Sequence, residues 1–162
     1  MMPEPTPFEK FNDVQYYICE IQGQLFKLAQ KMDFDDDDFI QKFMHSDLCK
    51  RALDQLYSPL QMADPEDIMD ETLRFITAKK NNQHYDSNAI DWIGYMYRYL
   101  HLRLAMPSAV IYETLPLKDM LVYYVGMHTQ DDEYFVDIIK DKFENSLQSN
   151  KDNPNTGLEL GD

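Results

Sequence analysis

The chain has 162 residues, 44% of them hydrophobic and 13% aromatic, and a formal net charge of −14. That length holds one domain with a continuous apolar core, and that hydrophobic content excludes wholesale disorder. Against 29 Asp and Glu there are only 15 Lys and Arg, which excludes the basic stripe of a conventional nucleic-acid binder and disfavours anionic membranes, while favouring basic proteins as partners.

The opening Met1-Met2-Pro3-Glu4-Pro5-Thr6-Pro7 has neither a basic region nor an apolar run. No signal peptide is expected, and residues 1–6 read as a flexible start to a cytoplasmic domain spanning 7–146. Thr6 with Glu9 three residues on, and Pro7 between them, predicts a capped helix from Pro7 to Met32. Phe8, Phe11, Val14, Ile18, Ile21, Leu25, Leu28 and Met32 recur at threes and fours, one stripe of that helix. Asp33-Phe34-Asp35-Asp36-Asp37-Asp38 follows. Counted from Asp33, a calcium loop would need glycine where Asp38 stands and glutamate where Met44 stands. The run therefore reads as acids capping the next helix, with Asp35, Asp36, Asp37 and Asp38 also able to steer a basic partner.

Phe39, Ile40 and Phe43 predict a short helix. Ser46 caps a third, with Leu48, Cys49, Ala52, Leu53 and Leu56 inward, and Tyr57-Ser58-Pro59 breaks it. Asp64-Pro65 starts a fourth that buries Ile68, Leu73, Phe75 and Ile76 and closes at Asn81-Asn82. From about Ser87 to Met106 apolar residues stand nearly all round, which predicts the buried central helix of a bundle. Pro107-Ser108 opens a short helix through Tyr112, and Pro116 opens another with Gly126 as its stop. Asp131-Asp132 caps the last, with Phe135, Ile138, Ile139 and Phe143 inward. Residues 147–162 read as a disordered acidic and polar tail. The expected fold is all-α: an irregular single-domain bundle of seven to eight helices around residues 87–106.

Chemistry is harder to find. Cys19 and Cys49 form no C-x-x-C pair and read as free buried thiols. His45, His84, His101 and His128 have no ligand spacing, and no phosphate-binding or nucleophile motif occurs. Metal, cofactor and catalytic residues are therefore all expected to be none. A helix-turn-helix over 107–126 would carry Lys118 as its single cation, too few for DNA. Trp92, Met96 and Leu100 read as core, whereas Tyr95, Arg98 and Tyr99 are residue types enriched at interface hot spots and are the candidate partner contacts.

Three stretches, FIQKFMHSDLCKRALDQLYSPLQ at 39–61, DWIGYMYRYLH at 91–101 and LVYYVGMHTQDDEYFVDIIKDKF at 121–143, resemble a group of small uncharacterised bacterial all-helical proteins. These are encoded beside ADP-ribosyltransferase-like proteins, in loci of toxin–antitoxin or defence type. The resemblance implies an antitoxin-like protein-interaction module whose partner is a toxin-like enzyme of the same locus. The alternatives are an acidic nucleic-acid mimic, which requires a continuous acidic face, and an enzyme of unknown type, which requires histidines and acids to converge.

Overall fold

In the computed structural model, residues 11–56 and 58–152 are described, with side chains through residue 144. Seven α-helices run in chain order: α1 (Asp13–Lys31), α2 (Asp36–Met44), α3 (Pro65–Phe75), α4 (Ser87–Leu104), α5 (Ser108–Thr114), α6 (Leu117–Met127) and α7 (Asp132–Asp152). Between α2 and α3 lie a π-turn (Cys49–Leu53) and a 3-10 turn (Pro59–Met62). The only β pairing among the described residues is an isolated bridge between Phe34 and Lys80. The fold is the expected all-α bundle, and α4 is its axis.

α4 buries residues on every side, from Ala89 and Ile90 through Met96, Tyr97 and Leu100. Helices without a polar face are stable only when neighbours surround them. α1 supplies the largest of those neighbouring surfaces. The two helices come close because glycines meet where they cross. A Cβ on Gly94 would lie 2.7 Å from the Gln22 carbonyl and 2.8 Å from the Gly23 Cα. Gln22 then donates its side-chain amide to the Gly94 carbonyl at 2.9 Å. Phe26, Phe39 and Phe43 pack edge-on and stacked beneath this crossing, and Phe135, Val136, Ile139 and Phe143 of α7 extend the core.

Several boundaries differ from the sequence reading. α1 starts at Asp13, capped by Asn12, whose side chain accepts from the Gln15 amide while Gln15 returns a bond to the Asn12 amide. The expected start at Pro7, with Thr6 and Phe8, lies outside the described residues. Val14 is exposed rather than inward. The third expected helix is a π-turn, and Leu56 beyond it is 81% exposed. α3 stops at Phe75, well short of Asn81, and leaves Leu73 and Phe75 36% and 45% exposed while Met69 and Thr72 are buried instead. Gly126 does not stop α6, which runs on to Met127. Ile138 faces out and Val136 faces in. The backbone of α7 stays helical past 147 to Asp152; residues 153–162 of the expected tail lie outside the described residues.

The segment after α3 accounts for the acid run. Residues 77–86 lie alongside 32–38, held by the Asp35 amide on the Lys79 carbonyl and the Asn81 amide on the Asp33 carbonyl, both 2.8 Å. Asp33 itself closes α1 in the left-handed region at φ 59, with the Phe34 amide reaching back to the Ala29 carbonyl. This is the Schellman pattern with aspartate in place of the usual glycine. No helix among the described residues is long and apolar enough to cross a membrane.

Candidate functional site

α1, α4, α6 and the start of α7 converge on a groove of about 670 Å³. Glu20, Gln24 and Lys27 stand four and three apart, so one face of α1 presents all three. Asn88, Asp91, Trp92 and Tyr95 do the same on α4, Tyr124 and His128 on α6, and Asp132 opens α7. The walls are aromatic. Trp92 packs edge-on to Tyr124 at 5.7 Å and to Phe135 at 5.3 Å, and Tyr124 stacks on His128 at 4.2 Å.

The carboxylates of the groove are only partly answered. Asp91 pairs with Lys27 at 3.5 Å, with both side chains about two-fifths exposed. Glu20 has no ion pair among the described residues. Asp132 accepts the Tyr95 hydroxyl at 2.8 Å. Burial pushes the Asp132 carboxyl above its ordinary range, and Asp131 and Glu133 add to that against the opposing Tyr95 bond. Three acids and one lysine around aromatic faces form a setting for a cation, drawn by charge and by the ring quadrupoles together.

Of the seven residues expected to contact a partner, Tyr95 lines this groove. Tyr99 is 1% exposed, its ring between Tyr95 and Phe11 and its hydroxyl donating to Glu133 at 2.5 Å. Arg98 is 2% exposed. Its Nε donates to Gln22 at 2.9 Å and its Nη1 to Asp54 at 2.8 Å. Burial removes both from any docking surface, because α4 is enclosed on the faces that carry them.

The acid run is engaged within the fold to different degrees. Asp35 caps α2 by accepting the Asp38 amide and also accepts from Asn81. Asp36 is buried and accepts from Gln30, His84 and the Tyr85 amide. Asp38 accepts the Lys79 amide and pairs with Lys42 at 3.0 Å. Asp37 is exposed and accepts the Tyr85 hydroxyl. Asp35, Asp36 and Asp38 thus hold residues 77–86, and Asp37 is the most exposed of the four.

Glu20, Asp91, Tyr124, His128 and Asp132 are site residues that sequence reasoning misses. The spacing of Tyr124 and His128 shows that they share a face, but nothing local shows that α6 faces α1. Among the described residues no group of three or more His, Cys, Asp or Glu is arranged to hold a metal ion. No protein-family model, no curated protein and no solved structure matches this chain.

Proposed function

We propose that this protein is a protein-interaction module that binds and regulates a cognate partner, in the manner of an antitoxin, and that it does so by seating a basic side chain of that partner in the groove. The observation that carries this reading is the convergence of Glu20, Asp91 and Asp132 on the Trp92–Tyr124 walls, where Lys27 is the one lysine or arginine among the described lining residues. An arginine entering there meets carboxylates and aromatic rings together, the residue environment of interface hot spots. The net charge of −14 speeds encounter with a basic surface over longer range. The engagement of Asp35, Asp36 and Asp38 with residues 77–86 favours this plain binder over a nucleic-acid mimic, which would need those acids in an exposed row.

Trp92 is the only tryptophan in the chain, so its fluorescence reports on the groove. A short peptide containing arginine changes that emission saturably, and the same peptide with citrulline, isosteric but uncharged, does not. Glu20→Gln with Asp91→Asn weakens the arginine peptide by about tenfold, the scale of one charge-assisted bond. Equal responses to arginine and citrulline would overturn the charge-based reading of the groove.

A further inference from the structure

A second cavity, of about 710 Å³, lies between the π-turn and the end of α4 and shares no residue with the groove. Two departures from regular backbone border it. The chain forms a π-turn over Cys49–Leu53, and such turns recur at functional sites. Ala105 ends α4 in the left-handed region at φ 56 although it carries a Cβ, a strain that persists only where surroundings enforce it.

That bend brings the Met106 carbonyl to 2.6 Å from Nδ1 of His101. A carbonyl only accepts, so Nδ1 carries the proton, and Nε2 of the neutral ring is a bare acceptor with no partner among the described residues. Burial first, and the Arg98 charge second, hold the His101 pKa below its ordinary value, against Asp54, 3.7 Å from Nδ1, and the Met106 bond, which raise it. Behind it Asp54 is saturated by Arg98 and by the amide and hydroxyl of Ser108, at 2.8, 2.9 and 2.5 Å. Lys50 lines the same cavity, is exposed, and has no carboxylate within ion-pair distance among the described residues. Met44, Leu102, Met106 and Pro107 supply an apolar stretch of the wall, with His45, Ser46 and Gln55 polar beside it.

We propose that this cavity binds a small amphiphilic carboxylate, whose acid group pairs with Lys50, whose hydroxyl or N–H donates to Nε2 of His101, and whose apolar body lies on Met44, Leu102 and Met106. The volume falls within the ~300–1,000 Å³ of ordinary small-molecule sites. A single negative charge suits one lysine, and the saturated Asp54 together with the acidic surface turns away polyanions. This site stands independently of the partner reading.

The probes are indole-3-acetate and 4-hydroxyphenylacetate, each with a carboxylate, a ring and a donor. They are titrated into the full chain by calorimetry and by proton–nitrogen correlation spectra of the histidine rings. The expected result is saturable one-to-one binding, with the His101 Nε2 resonance moving on saturation. Lys50→Met, a change at an exposed position, weakens binding about tenfold, and indole without its carboxylate binds wild type equally weakly. His101→Phe weakens both probes, with the melting temperature as its control for folding. Failure of both probes to saturate at millimolar concentration overturns the proposal, as does binding that Lys50→Met leaves unchanged.

Discussion

Arg98 occupies a core position on α4 at which size alone would accept methionine, and its cost is offset by several buried acceptors. Gln22, Asp54 and the Leu53 carbonyl take its N–H groups, and the Cys49 sulfur lies 3.8 Å from Nη2. Burial would raise the Asp54 carboxyl, but Arg98 and the two Ser108 bonds outweigh it and hold it below the usual carboxylate range. Breaking a buried pair from one side leaves the other charge stranded. Arg98→Met is therefore expected to destabilise by about 3–5 kcal/mol in urea denaturation, and adding Asp54→Asn should recover part of the loss. A single-variant loss below about 1 kcal/mol, the range of exposed pairs, would show that the network is not desolvated. Burial also pushes the Cys49 and Cys19 thiols up to about 11 and about 12. Both should resist a thiol reagent in the native protein at pH 8 and react once it is unfolded. In the sequence Arg98 looks like a surface anchor, because arginine is rarely buried and the acceptors that permit it lie 44 and 76 residues away.

At the level of elements, two glycines make opposite predictions. Gly94 has no room for a Cβ against the backbone of α1, so Gly94→Ala should part the α1–α4 crossing and cost about 1–3 kcal/mol. Gly126 lies inside α6, and a Cβ there would meet nothing within 4 Å, so Gly126→Ala should stabilise by about 0.5–1 kcal/mol. Thermal melts of the two variants should move in opposite directions. The strap over the acid run adds a pH dependence. His84 bonds Asp36 at 2.9 Å and Asp33 at 3.3 Å. Burial lowers its pKa, but the two carboxylates more than reverse that, and the net shift is upward. Its stabilisation is thus complete below the unfolded value near 6.5 and is lost as pH rises through the higher folded value. His101, shifted downward, acts on the other side: stability falls as pH drops below about 6.5 toward its folded value. His84→Gln should flatten the alkaline limb of the melting profile and His101→Gln the acid limb; unchanged limbs would contradict these assignments.

Elements also differ in how plainly the sequence declares them. The all-round apolar run of 87–106 announces α4, because nothing but burial explains it. The start of α1 is hard to place because Asn12 and Gln15, which cap it, have the same spacing as Thr6 and Glu9 six residues earlier. The end of α3 is ambiguous because Leu73, Phe75 and Ile76 suit a helix as well as the extended strap that follows. Hydrophobic spacing finds a face, and only the tertiary neighbours decide whether that face is covered.

For the whole molecule, charge and enclosure divide the work. The groove is where α1, α4, α6 and the start of α7 meet, and it is lined by the residues that α4 leaves exposed or half-buried, Asn88, Asp91, Trp92 and Tyr95. Val122 and Val125 stand 75% and 76% exposed on α6, the helix that also carries Tyr124, so a partner seated in the groove has apolar surface within the same element to cover. The most direct test of the proposal is the amide-exchange footprint that the proposed cognate partner leaves on the full chain, measured at low and high salt. The account predicts protection over residues 20–27, 88–95 and 121–132, with weaker protection at high salt where exposed charges are screened within about 10 Å. Protection confined to residues 33–38 and 77–86, or no protection at any salt, would contradict it.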